Sequence, residues 1–240
     1  MHGCGNDFVI TNYTTLNKDN IQLICNRHYG IGCDQLLMFN IQDDIVELLI
    51  FNQDGSVAIN CGNGLRCIGL LMNILYQKDT TQVKMPDGQI NKTKIIQKNT
   101  SYESLVYAEL GKYTMTQLSP DIKKISIGNQ HLVIEVDNIT NIDIAYSKYL
   151  STKHDANVSY VQYNGCKAIA RVYERGTGET NACGTAAAAI HLARDIHDNT
   201  ETEVKFISDN IIIAGNLSQS VYIVGSASLV YDGTFYFNKK

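Results

Sequence analysis

The chain has 240 residues, of which 44% are hydrophobic, with a net charge of −4 and a pI near 5.8. That is enough apolar material for two modest cores or one large one, yet no run approaches the ~18 consecutive apolar residues of a membrane span. The mildly acidic balance, with no basic block, argues against nucleic acid as a main partner. Residues 1–12 lack the basic-then-apolar order of a signal peptide, so the expected compartment is the cytoplasm.

Taken in chain order, β-branched and apolar runs predict strands at Phe8–Thr11, Leu36–Phe39, Val46–Phe51, Ile95–Gln97, Leu105–Leu110, Ile122–Ile127 and Leu132–Val136. More follow at Ser159–Tyr163, Ala168–Tyr173, Val204–Ile207, Ile211–Ala214, Val221–Val224 and Ser228–Tyr231. Helices are fewer. Asn17 reads as the N-cap of a helix through about His28, and a short helix is expected over Ile142–Leu150. Two further helices open at Gly62 and Gly184, each directly after a cysteine and each followed by an apolar stretch.

Strands, a central helix opened by Cys-Gly, then strands again: the order occurs twice. It predicts an α+β fold of two pseudo-symmetric domains from an internal duplication, each sheet wrapping its own helix. The domains are expected at 1–114 and 115–228, with a C-terminal strand at about 229–240 returning to the first and the active site in the cleft between them.

Seven cysteines (4, 25, 33, 61, 67, 166 and 183) form no Cys-x-x-Cys pair, which speaks against a zinc ribbon or a disulfide framework. Cys25, Cys33, Cys67 and Cys166 read as small buried apolar residues. Cys61 and Cys183 differ. A thiol at a helix N-terminus sits where unpaired N–H groups and the helix dipole favour negative charge, lowering its pKa below the free value of ~8.5. Two such thiols suit moving a proton on and off opposite faces of one carbon. The N–H groups of Gly62, Asn63, Gly184 and Thr185 could hold one carboxylate, and Arg175 offers a fork for a second. Neither a metal nor another cofactor is required.

The blocks His2-Gly-Cys-Gly-Asn-Asp-Phe8, Gly32-Cys-Asp-Gln-Leu-Leu37, Asn52 with Asp54-Gly-Ser56, Cys61-Gly-Asn-Gly-Leu-Arg-Cys67, Gly128-Asn-Gln-His131, Asn157 and Glu174-Arg-Gly-Thr-Gly-Glu-Thr-Asn-Ala-Cys-Gly-Thr185 together resemble the diaminopimelate epimerase family, from Met1 to the last strand. The resemblance implies cofactor-independent interconversion of LL- and meso-2,6-diaminoheptanedioate in the lysine and peptidoglycan pathway. It makes Cys61 and Cys183 the catalytic thiols, with His131 and Glu174 helping to set their protonation. Gly62, Asn63, Gly184 and Thr185 match the holders of the reacting carboxylate. Asn6, Gln35, Asn52, Asn129, Asn157, Glu174 and Arg175 match the substrate-binding set, and Tyr231 matches a homodimer-interface tyrosine.

The chain departs from the family pattern in four places. It opens directly at Met1-His2 where a short strand is usual, Gln130 replaces a proline, Ala186 a glycine and Val57 a glutamate. A proline or hydroxyproline racemase, another amino acid racemase, and a non-catalytic thiol-containing binder or redox sensor stay open as alternatives. The cysteine pair argues against an isomerase of the phenazine-biosynthesis type. His28, His154, His191 and His197 read as structural or solvent-exposed.

Overall fold

The structure, a computed structural model, describes residues 1–12, 15–140, 142–194, 200–207, 211–216 and 220–236. His197 and residues 237–240 of the expected last strand lie outside this set. The chain divides into two compact units, Met1–Ala108 with Ser226–Lys240, and Glu109–Gly225.

The first unit holds β1 (His2–Gly3), β2 (Asn6–Thr11), α1 (Lys18–Cys25), β3 (Gln35–Gln42), β4 (Ile45–Asn52), β5 (Val57–Ala58), α2 (Gly62–Tyr76), β6 (Thr80–Lys84), β7 (Ile90–Lys98) and most of β8 (Glu103–Gly111). The β1–β2 hairpin turns through Cys4 and Gly5, at φ 54° and 84°. Positive φ at both central residues is the turn whose twist matches that of paired strands. Strands β2 and β3 are parallel, β3 and β4 antiparallel, β4 and β6 parallel, and β6 to β8 antiparallel. Each parallel step needs a crossover, supplied by α1 and then α2.

The second unit repeats that order. After β9 (Thr114–Ser119) come the β10 (Ile122–Ile127) and β11 (Asn129–Glu135) hairpin, α3 (Ile144–His154), β12 (Asn157–Asn164), β13 (Lys167–Glu174), β14 (Gly178–Thr180), α4 (Gly184–Ala193), β15 (Thr202–Phe206), β16 (Ile211–Asn216) and most of β17 (Val221–Ser228). Pairing is again parallel for β11–β12 and β13–β15, and antiparallel for β12–β13 and β15–β16. The two-fold α+β order read from the Cys-Gly motifs is thus present in the strand registers themselves.

The two central helices are mostly apolar and largely buried because strands pack around them. In α2 all of Gly62–Leu70 is buried, and in α4 all ten residues are. Ala186 is fully buried in the first turn of α4. Small residues let strands approach closely. A Cβ on Gly69 would lie 2.7 Å from Thr93 Oγ1 and 2.9 Å from Thr93 Cβ, and Thr93 is buried in β7. Alanine would raise helix propensity by up to about 1 kcal/mol, but overpacking costs roughly 1–3 kcal/mol. Gly69→Ala should therefore lose about 1–2 kcal/mol, read as a lower urea midpoint; an unchanged or higher midpoint would contradict this packing account.

Four local expectations need correction. Helix α1 begins after Asn17, whose Oδ1 accepts from Asn20 N at 2.8 Å, but it stops at Cys25 and not at His28. There the Asn26 side chain accepts from His28 N and Tyr29 N and diverts the backbone into a turn. Helix α3 runs on to His154, past the end of its apolar spacing, because it is largely exposed and buries only Ser147, Leu150 and Ser151. Cys166 is exposed, lying in the turn between β12 and β13, whereas Cys25, Cys33 and Cys67 are buried as expected. Finally, Val221–Ser228 is one strand and no strand covers Leu229–Tyr231. Val230 and Tyr231 have strand-like side chains but are more than half exposed.

Candidate active site

In the first unit, register brings three sequence-distant amides to one end of the sheet. Asn6 opens β2, Gln35 opens the parallel β3, and Asn52 closes β4 directly opposite Gln35. Gln35 Nε2 donates to Asn52 Oδ1 at 2.9 Å, and Asn52 Nδ2 donates to Ser56 Oγ at 3.0 Å. That leaves Asn6 Oδ1 and Gln35 Oε1 buried without partners among the described residues. Two carbonyl oxygens of this kind are fitted to accept from an ammonium group. Arg27 braces the corner, reaching both oxygens of Asp7 at 2.8 Å and Asp34 at 2.7 Å. Burial works against the Asp7 charge, but hydrogen bonds from Arg27 and Asp34 outweigh it and hold its carboxyl below the usual range.

Cys61 is the N-cap of α2. Its Sγ accepts from Gly64 N at 3.4 Å, and only 9% of the residue is exposed. The sulfur therefore occupies the place of an oxygen cap among the helix's orphan N–H groups. Gly62 and Asn63 follow it in the buried first turn.

The second unit builds the same corner from different side chains. Asn129 opens β11, with His131 two residues on and directly opposite Asn157, which opens the parallel β12. Glu174 closes the antiparallel β13. Asn157 Oδ1 accepts from Arg175 N at 2.9 Å, and Glu174 Oε1 accepts from Thr180 Oγ1 at 2.5 Å. The Arg175 guanidinium is over half exposed and pairs with Asp155 at 2.5 Å, while Glu179 pairs with Arg171 at 2.6 Å.

Cys183 is the N-cap of α4 but makes no side-chain cap bond. Its Sγ lies 3.3 Å from Thr185 Oγ1, which lies 2.9 Å from His131 Nε2. His131 is fully buried, and desolvation pushes its pKa down to about 3, so the ring is neutral at pH 7. Thiol, hydroxyl and imidazole form a chain of groups that can each give and accept a proton. Sequence reading named His131 and Thr185 but not their contact; both lie inside the quoted blocks, and only the fold brings them together. Thr180 and Asp155 were missed as partners, being ordinary turn and cap residues in sequence.

The neutral histidine has a consequence for stability. The unfolded chain protonates this ring near 6.5 and the folded chain only near 3. Across that window the unfolded state binds more protons, so stability falls as pH falls through it. His191, pushed down to about 4 by burial and then by Arg194, adds in the same sense. In His131→Gln the loss of urea stability between pH 6 and 4 should be visibly shallower than in the wild type. An identical slope would contradict the assignment.

Comparison with known proteins bears on the family. The diaminopimelate epimerase family model matches residues 1–116. The diaminopimelate epimerase of Blochmanniella floridana is 32% identical, with 97% of each chain covered. That of Nitrosospira multiformis is 30% identical over 97% of this chain and 95% of its own. Among solved structures, a hydroxyproline epimerase from Agrobacterium vitis with bound trans-4-hydroxy-L-proline superposes with a TM-score of 0.62 at 8% identity, covering 95% of this chain and 87% of that one. A phenazine biosynthesis family protein from Enterococcus faecalis gives 0.65 at 12% identity, covering 94% and 91%. These two share the fold; the sequence relatives carry the closer kinship, and by them the chain belongs to the diaminopimelate epimerase family of isomerases.

Proposed function

We propose that this protein interconverts LL- and meso-2,6-diaminoheptanedioate by two-base α-proton transfer, with Cys61 and Cys183 as the bases. The observation that carries this reading is the duplicated corner. Each unit carries a buried helix with a cysteine N-cap, and each gathers amide or carboxylate side chains at one end of three strands.

In the proposed reaction one cysteine, as thiolate, takes the α-proton, and the other, as thiol, delivers a proton to the opposite face. Configuration inverts. Loss of the proton spreads negative charge into the α-carboxylate, so N–H groups of Gly62, Asn63, Gly184 and Thr185 would stabilise the transition state more than the ground state. A Thr185 hydroxyl turned to donate to Cys183 Sγ would favour the thiolate there, as the Gly64 N–H would for Cys61. The partnerless oxygens of Asn6 and Gln35 suit an ammonium group, and Arg175 suits the distal carboxylate. His131 and Glu174 support proton transfer, and Asn52, Asn129 and Asn157 complete the binding set.

The chemistry so written calls on no metal or other cofactor, so dialysis against EDTA should leave turnover unchanged. We further propose a cytoplasmic homodimer with no nucleic-acid partner. Among the described residues no helix is long and apolar enough to cross a membrane. Val230, Tyr231 and Tyr236 expose 64%, 61% and 88% of their surface, a cost that a second copy could remove. Sedimentation should give twice the chain mass for the wild type and a monomer for Tyr231→Asp; a monomeric wild type would end that part of the reading. For the reaction itself, chromatographic separation of isomers after incubation with LL-diaminopimelate should show the meso form accumulating to equilibrium. Racemisation of proline or 4-hydroxyproline with no action on diaminopimelate would move the chain to the rival reading.

A further inference from the structure

Arg66 lies in the second turn of α2 and has no role in the reaction as written. It is fully buried, and it is the one charged residue of α2. Its Nη2 donates to Asn63 Oδ1 at 2.9 Å and to Cys4 Sγ at 3.3 Å, and its Nε donates to the Ser226 carbonyl at 3.4 Å. Its Nη1 is buried with no partner, and no carboxylate among the described residues pairs with it. The neighbouring Cys67 does not supply the missing charge. Burial pushes that thiol up to about 12, against the pull of Arg66.

A buried cation without a counter-ion costs several kcal/mol, and an apolar side chain of equal length is often neutral or better for stability. Its placement is therefore informative. The three acceptors belong to the first turn of α2, to the β1–β2 turn that leads into Asn6, and to β17. Close approach is built in, since a Cβ on Gly3 would meet the Asn63 carbonyl oxygen at 3.0 Å. We propose that Arg66 is a positioning residue. Clamped behind the mouth of α2 without a carboxylate of its own, it fixes the turn carrying the Gly62 and Asn63 N–H groups and keeps that mouth electropositive for the substrate carboxylate and the Cys61 thiolate. The inference rests on the proposed function and deepens it. The charged and titratable groups that act on Cys67 in this corner are Arg66, the Met1 ammonium and the thiols of Cys61 and Cys4.

The test uses the full chain with Arg66→Met and Arg66→Lys. Thermal midpoints, KM and kcat for LL-diaminopimelate, and the pH dependence of Cys61 alkylation by iodoacetamide, followed on its peptide by mass spectrometry, are compared with the wild type. Arg66→Met should melt at or above the wild-type temperature. Its Cys61 alkylation midpoint should rise by roughly one pH unit, and its KM by about tenfold. Arg66→Lys should restore most of the alkylation midpoint, because the charge returns. It should restore less of the KM, because an ammonium lacks the planar fork that spans Asn63 and Cys4. A folded Arg66→Met with unchanged midpoint and KM overturns the proposal, as does a lower melting temperature with an unchanged midpoint. Should the methionine variant fail to fold, wild-type KM in Arg66→Lys overturns it. The alkylation profile needs no turnover, so it decides the electrostatic part even if the wild type proves inactive on diaminopimelate, a result that would instead fell the proposed function.

Discussion

Cys61→Ala and Cys183→Ala should each abolish epimerisation while leaving a folded protein. Both side chains are small and lie at helix starts, not in the middle of a core, so deleting a sulfur removes little packing. What is lost is the proton carrier itself. The neutral ring of His131 meets Thr185, and the Gly64 N–H donates to Cys61 Sγ. Serine at either position keeps a polar cap but is far less acidic than a thiol, so turnover should fall by about 10²–10⁴-fold, the usual span for general acid–base assistance. The effect should lie in kcat, since the N–H groups that hold the carboxylate are untouched. Turnover assays with circular dichroism of the purified variants check both halves of the expectation. Near-normal kcat in either alanine variant would remove the two-base assignment.

Arg175→Met should raise KM for diaminopimelate by roughly 30-fold, corresponding to about 2 kcal/mol for a hydrogen-bonded charge contact. The guanidinium is exposed and held by Asp155, a residue itself 79% exposed on its side chain. A surface pair of that kind is worth little, so a substrate carboxylate can displace Asp155 at small cost. Asp155→Asn should therefore lower KM or leave it unchanged, and Arg175→Lys should recover only part of the loss, lacking the two-pronged geometry. The informative control is an α-amino acid without a distal carboxylate. Any residual exchange of its α-proton should be indifferent to Arg175. An unchanged KM for diaminopimelate in Arg175→Met would mean that the distal carboxylate is held elsewhere.

Much of the fold was legible because its strongest signals are local. Cys-Gly followed by apolar residues marks α2 and α4, which are buried over most of their length and so read as largely apolar stretches. Strands with a single wet face, such as β8, alternate and were visible. Those that escaped are polar or short. Thr80–Lys84 turns Thr81 and Val83 inward and looks in sequence like a loop, and β14 has three residues, Gly-Glu-Thr. The C-terminal error has the opposite cause: Leu229–Tyr231 has strand-like residues but forms no ladder. Strand propensity describes a fit to a half-buried pleated surface, and without one it decides nothing.

The candidate site divides in the same way. Residue identity was readable, because a thiol at a helix start is a chemical statement in itself. Contact was not. The His131–Thr185–Cys183 chain joins residues 54 positions apart in sequence, and only the packing of β11 against α4 assembles it. Arg66 was written in the Cys61–Cys67 block, yet a charged residue on an apolar helix looks like a solvated exception until its burial is known.

The most direct test of the account is α-proton exchange followed by NMR, with LL-diaminopimelate, reductant and D₂O. The account predicts deuterium at the α-position together with growth of the meso isomer, and neither in Cys61→Ala nor in Cys183→Ala. A folded, fully reduced wild-type protein that leaves the α-proton in place would contradict it.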